Sequence, residues 1–270
     1  MADDATSSRP DLTALPAPWV ASSALTRYRL APNPGPMSLD GTNSYVIAAP
    51  GSESVVVVDP GPLDAAHLDG LAAAGRVELV ILTHHHIDHT EAAEEFHRLT
   101  GAPVRARDEA LCIGAPPLGD GEIISAAGVR IEVLATPGHT ADSLCLHLPD
   151  DGAHGSVLTG DTILGRGTTV IVHPDGRLGD YLASLRRLEA LGDATVLPAH
   201  GPVLPSVREI AKAYTAHREE RLAQVRAALV LLGEDASVTA VTDAVYADID
   251  PSVRGAAENS VAAQLEYLRG

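Results

Sequence analysis

Thr83-His84-His85-His86-Ile87-Asp88-His89 interrupts an otherwise ordinary alternation of apolar and polar segments. Before it runs Glu78 to Thr83, which reads as a buried strand, and after it Thr90 to Leu99, which reads as a helix. Side chains two apart on an extended chain point the same way, so His84 and His86 can reach one cation together. Where the chain turns into helix, Asp88 and His89 can face a second. Neutral imidazoles and a carboxylate suit zinc or a neighbouring first-row metal.

Three more segments set an imidazole or a carboxylate at the end of a strand-like run, beside glycine or proline. They are Thr136-Pro137-Gly138-His139-Thr140, Leu158-Thr159-Gly160-Asp161-Thr162 and Pro198-Ala199-His200-Gly201. Strand ends held by a sheet are where α/β folds put their chemistry, and tight turns let such loops converge. A histidine tract alone is a weak signal. This one is internal, follows a buried strand and has three partners downstream.

Outward from these motifs, strands are expected at Leu25 to Leu30, Ser44 to Ala48, Ser54 to Asp59, Val129 to Leu134, Ser143 to Leu148, Ser156 to Thr159 and Thr195 to Pro198. Helices are expected at Pro62 to Ala74 and Tyr181 to Leu191. Strands interleaved with helices predict an α/β body with sheets inside and helices outside. From Pro205 to Leu232 the pattern is one long helix, its apolar stripe traced by Ile210, Tyr214, His217, Leu222, Val225, Leu229 and Leu232. Shorter helices are expected over 238–247 and 251–268. The predicted organisation is a flexible N-terminal segment over 1–20, pinned at its end by Trp19, a catalytic body over 21–204 and a helical C-terminal module over 205–270.

The chain has 270 residues, 45% of them hydrophobic, enough for a sizeable core. Its formal net charge of −17 opposes a broad phosphate-backbone footprint, and 3% aromatic content leaves few rings for base stacking. No apolar run approaches the roughly 20 residues a bilayer crossing needs. Met1 to Pro10 shows no apolar block of a secretory signal, so a cytoplasmic location without membrane contact is expected. Cys112 and Cys145 are too few for a disulfide scaffold and read as small packed residues. Among the remaining histidines, His67, His97, His154 and His217 are expected at the surface or partly packed. His147 is expected in the core beside Cys145, His85 pointing away from the cations, and His173 in the loop after Asp161, where contact with substrate is the less favoured of two readings.

The order His-x-His-x-Asp-His, then His, Asp and His, resembles the metallo-β-lactamase superfamily over about residues 25 to 205. The resemblance implies an αββα sandwich and a metal-dependent hydrolase with two divalent metal ions, zinc first and iron or manganese as the other options. It assigns the first metal to His84, His86, His139 and Asp161, and the second to Asp88, His89, His200 and the same Asp161, whose carboxylate bridges the pair. Asp88 is also the catalytic assignment, a ligand that orients the hydroxide two cations can generate by lowering the pKa of a shared water. Asp59, in Val58-Asp59-Pro60-Gly61, matches a recurring acid that orients the ligand loops. True β-lactamases of this fold place cysteine at the bridging position or lack the bridge. Asp161 instead matches the glyoxalase II and nuclease branches, so antibiotic hydrolysis is not expected.

Four stretches are similar to one group within the superfamily: Asn33-Pro34-Gly35-Pro36-Met37; Gly41-Thr42-Asn43-Ser44-Tyr45; Gly160 to Gly165 with Gly167-Thr168-Thr169-Val170; and His217-Arg218-Glu219-Glu220-Arg221. That β-lactamase-like group includes an animal mitochondrial endoribonuclease and has a winged-helix-like tail. The expected substrate is nonetheless a small ester or thioester, with single-stranded RNA as the alternative nucleic-acid partner. On the RNA reading Arg218, Arg221 and Arg226 contact phosphate; on the preferred reading they are the solvated face of the long helix. Glyoxalase II itself is disfavoured because its C-terminal glutathione-binding pattern is not evident. A non-catalytic metal-holding interaction protein is the remaining alternative, and the sequence carries no signal of oligomeric state.

Overall fold

In a computed structural model that describes residues 19–270, six strands form a first sheet and five a second. The first holds β1 (Trp19–Ala21), β2 (Thr26–Leu30), β3 (Asn43–Ile47), β4 (Ser54–Val58), β5 (Arg76–Ile81) and β6 (Val104–Arg105), side by side in chain order. The second holds β7 (Ile123–Ala126), β8 (Val129–Ala135), β9 (Leu144–Leu148), β10 (Ser156–Gly160) and β11 (Thr195–Pro198), in the order β11-β10-β9-β8-β7. β4, β5 and β6 run parallel, as do β10 and β11, and the other neighbours are antiparallel. The helices are α1 (Ala65–Ala72), α2 (Ile87–Thr90), α3 (Ala93–Thr100), α4 (Leu178–Glu189), α5 (Val207–Leu232), α6 (Val238–Val245) and α7 (Arg254–Arg269).

Burial shows why the layers stack as they do. Val55, Val56, Val57 and Val58 are all 1% exposed or less, since β4 is covered on both faces. One apolar cluster runs from Leu68, Leu71 and Phe96 on α1 and α3, through the first sheet, to Ile131, Leu146 and Leu158 of the second. A second joins Cys145, Val157 and Val196 to α4 and the first half of α5. The result is the expected αββα sandwich. Each fully buried Val or Leu in these clusters contributes about 1.5–3 kcal/mol. A third, smaller cluster gathers Val225 and Leu229 of α5 with Val241 of α6 and Val261 and Leu265 of α7. No strand follows β11 among the described residues.

Several elements differ from expectation for identifiable reasons. α1 starts at Ala65 rather than Pro62, because Asp64 caps it by accepting the His67 N–H at 2.8 Å. The helix expected over Thr90 to Leu99 is split, since the Ala92 N–H leaves the helical ladder and donates to Gly61 O at 3.1 Å. β1, β6 and β7 were not expected. The β7–β8 hairpin turns through Ala127 (φ 49°) and Gly128 (φ 73°), and alanine at a left-handed position hides the usual Asn-Gly signal. β9 alternates as predicted, with Leu144, Leu146 and Leu148 facing the first sheet. His147 is only half-buried, however, and pairs with Glu132 at 2.9 Å rather than packing in the core. Trp19 packs against the first cluster; the rest of the N-terminal segment expected as flexible lies, but for Val20, outside the described residues.

Candidate metal centre

The sequence-predicted ligands come together at one rim of the sandwich, five delivered by strand ends and two by a short helix. β5 leads to His84 and His86, α2 carries Asp88 and His89, β8 leads to His139, β10 to Asp161 and β11 to His200. His84, His86, His139 and Asp161 offer ligand atoms within 4.8 Å of one another, as do Asp88, His89 and His200. His86 Nδ1 lies 3.0 Å from both His84 Nε2 and His139 Nε2.

Asp161 stands between the two groups. Its Oδ2 is 3.7 Å from His139 Nε2, while its Oδ1 is 3.6 Å from His89 Nε2 and 3.3 Å from His200 Nε2. Asp88 Oδ2 closes the second group, 3.3 Å from His200 Nε2 and 3.7 Å from His89 Nε2. Asp161 Oδ1, His89 Nε2 and His200 Nε2 are buried and have no hydrogen-bond partner among the described residues. Leaving three buried polar atoms unsatisfied in one spot is costly, and a cation is what this donor set fits.

The outer nitrogens explain how the rings are aimed. His89 Nδ1 meets Asp59 Oδ2 at 2.9 Å, His139 Nδ1 meets Val170 O at 2.6 Å, and His200 Nδ1 meets Gly41 O at 3.1 Å. Donation to these oxygens aims each Nε2 into the cluster, where it can serve as a ligand atom once deprotonated. His84 Nδ1 lies 3.1 Å from Thr83 Oγ1, which itself donates to Asp59 Oδ2 at 2.7 Å. Asp59 Oδ1 also accepts the Thr83 N–H at 2.8 Å, so this one buried acid ties β4 to the start of the ligand stretch.

Protonation follows the surroundings. Burial, reinforced by neighbouring imidazoles, holds His84 well below its ordinary value and His86 at about 4. Burial also lowers His139. These rings are neutral at pH 7, the form that binds metal. Burial opposes a charge on His89 too, yet Asp59, Asp161 and Asp88 outweigh it and raise the group to about 10. His200 is raised by Asp161 and Asp88 against the same burial. Although burial disfavours the Asp88 carboxylate, His200 and His89 hold it well below the usual range.

Contacts between the sheets set the position of His200. Asn43 Nδ2 donates to Pro198 O and Gly201 O, both at 2.9 Å, and Tyr45 Oη donates to Pro198 O at 2.9 Å. This is the work of the Gly41-to-Tyr45 stretch. Gly41 has φ 134° and a Cβ there would run into the Ala31 carbonyl oxygen, so a side chain is excluded where its own carbonyl must meet His200. The supporting roles of Thr83, Val170 and Gly41 were not legible beforehand, because two of the three act through backbone carbonyls.

Other expectations divide. His85 points away and meets Asp142 Oδ1 at 2.9 Å. His173 faces Glu266 of α7, at 3.6 Å, and does not line the cavity beside the centre. His67 is not at the surface but 2% exposed, 2.9 Å from Ser44 Oγ. The solvated-face reading of the three α5 arginines fits Arg226 alone. Arg218 is 3% exposed, with its guanidinium 5.2 Å from the centre of the Tyr181 ring, and Arg221 is half-buried over Tyr246.

The sequence profile of the metallo-beta-lactamase superfamily matches residues 37–200, which contain every one of these candidate ligands. The chain belongs to the metallo-β-lactamase superfamily. As a hydrolase of that superfamily it is 33% identical over 262 residues to the beta-lactamase-like protein 2 homolog of Caenorhabditis elegans, covering 92% of this chain and 84% of that one. Among solved structures it superimposes on the metallo-beta-lactamase family protein TTHA1429 of Thermus thermophilus with a TM-score of 0.73 and 26% identity, over 90% of this chain and 93% of the other. TTHA1623, solved in a di-iron-bound form, shares 25% identity at a TM-score of 0.52, over 67% of this chain and 96% of that one.

Proposed function

We propose that the chain is a metal-dependent hydrolase that holds two divalent cations and acts on a small ester or thioester. One observation carries the reading: the two oxygens of Asp161 face different histidine groups, Oδ2 towards His139 and Oδ1 towards His89 and His200. His84, His86 and His139 would hold one cation and Asp88, His89 and His200 the other, with Asp161 shared. The cations, zinc first and iron or manganese as the other options, would supply Lewis-acid activation of water and polarisation of the substrate carbonyl. The di-iron form of TTHA1623 supports a paired site in this fold.

The protein's own groups do the positioning. Asp88 is ionised at neutral pH and accepts a hydrogen bond from the attacking water, aiming it at the carbonyl. Asp59 holds the His89 ring, and the Val170 carbonyl holds His139. Single-stranded RNA is the second reading, favoured by Arg218 and Arg221 beside the centre. A small-molecule partner in the cytoplasm accords better with the charge of −17. Metal analysis of the purified protein, with a screen of thioesters, esters, lactones and short RNAs run with and without chelator, tests both. Chelator-sensitive hydrolysis of an ester or thioester is expected, whereas cleavage confined to RNA and rising steeply as salt is lowered would overturn the substrate assignment. Hydrolysis should also collapse in His86→Ala.

A further inference from the structure

A cavity of about 360 Å³ opens beside the ligand cluster, with His139 and Asp161 at one end. Loop 164–170 and helices α5 and α7 supply much of the remaining wall. Met37, Leu39, Leu164, Ile249 and Val253 make it largely apolar. Its charges are the reverse of the whole molecule's: Arg166, Arg218 and Arg221 line it, and Asp161 is its only acid among the described residues. In a chain of net charge −17, so local an excess of cations points to a ligand.

Among the described residues, the two α5 guanidinium groups lack anionic partners. Arg218 is 3% exposed, donates from Nη2 to Thr169 O, stacks on Tyr181, and has a buried Nε without a partner among the described residues. Arg221 donates from Nη1 to Gln224 Oε1 at 2.7 Å and lies 5.0 Å from the centre of the Tyr246 ring. Neither forms an ion pair among the described residues, whereas Arg166 is paired with Asp40 at 3.3 Å. A buried, unpaired charge is costly, and an anion arriving in the cavity relieves that cost. His217, also on the wall, is held below its ordinary value by burial first and then by the positive charges of Arg218 and Arg221, with Glu220 opposing them.

We infer that this cavity is a subsite for an anionic group carried on an apolar body. Arg218 and Arg221 receive the anion, the apolar wall encloses the body, and the scissile ester or thioester lies against His139 and Asp161. The substrate class is then a small amphipathic acid derivative. This assignment rests on the ester or thioester reading above, but the recognition of the anion can be tested without it. A carboxylate and a phosphate share the required chemistry.

The test is calorimetric binding of octanoate, octyl phosphate and neutral octan-1-ol to the metal-free full chain, so that no cation competes for the anion. Both anions are expected to bind at least tenfold more tightly than the alcohol, and the tighter one identifies the anionic group. Arg221→Met should lose about tenfold in anion affinity and Arg221→Lys less, while Arg226→Met, on the exposed face of the same helix, should match the unaltered protein. Thermal melts establish that each variant is folded, and Arg221→Lys keeps the question answerable if Arg221→Met is not. Equal binding of octan-1-ol and octanoate, or unaltered anion binding in folded Arg221 variants, would overturn the inference. So would a short single-stranded RNA that displaces octanoate at lower concentration than octyl phosphate does. If the metal-loaded protein hydrolyses no ester or thioester while Arg221-dependent binding persists, the catalytic reading falls and the subsite stands. Ester or thioester hydrolysis without Arg221-dependent binding would leave the catalytic reading in place and remove the subsite.

Discussion

Asp59 Oδ2 lies 2.9 Å from His89 Nδ1, and both side chains are almost wholly removed from solvent. The acid comes from the end of β4 and the ring from α2, so the contact fixes a candidate ligand to the sheet and leaves its Nε2 pointing at Asp161 and Asp88. Asp59→Asn keeps the shape but removes the charge. Affinity for the second of two cations should fall about 10- to 100-fold, the usual cost of losing such an outer partner, with the first step little changed. Stepwise zinc titration by calorimetry reads both.

Asp161→Asn should be more severe. One amide oxygen cannot serve both histidine groups, so bound zinc should drop below two per chain and hydrolysis by at least about 100-fold. Elemental analysis after dialysis and steady-state rates measure the two effects. A variant that kept two cations per chain would show that the split carboxylate is not what pairs them.

Metal removal should also cost stability. Cations satisfy buried atoms only in the folded chain, so binding is linked to folding. At free metal about 100 times its dissociation constant, the gain is about 2.7 kcal/mol. Melting temperature should fall with chelator and return when zinc is added back.

His67 predicts a pH dependence in the metal-free protein. Burial, helped by the charge of Arg29, pushes its ring down to about 4 from an ordinary 6.5. The unfolded chain therefore binds this proton more readily, and the stability His67 contributes is complete above about pH 6.5 and lost as pH falls through about 4. Urea denaturation at pH 7 and pH 4.5 should show His67→Gln losing less stability on acidification than the unaltered chain. The difference is at most about 3 kcal/mol. Equal losses would mean that the ring is charged in the folded state.

Legibility differed between kinds of residue. All seven candidate ligands could be named beforehand, because imidazoles and carboxylates at strand ends are scarce and conspicuous. The arginines of α5 could not be placed. Helical periodicity gives a face but not what covers it, and Arg218 is buried only because Tyr181 of α4 and the Thr169 loop close over it. β7 escaped because its turn uses Ala127 in a left-handed conformation that no residue-type rule anticipates.

Residue type and spacing along the chain sufficed for the α/β layering, the superfamily resemblance and the identity of the candidate ligands, since these depend on local chemistry and periodicity. Folding alone established that one Asp161 oxygen faces His139 and the other faces His89 and His200, that backbone oxygens of Gly41 and Val170 aim two of the rings, and that a cation-lined cavity lies alongside. Those features arise from contacts between residues far apart in sequence. Distances across the two sheets follow from packing, which no linear pattern encodes.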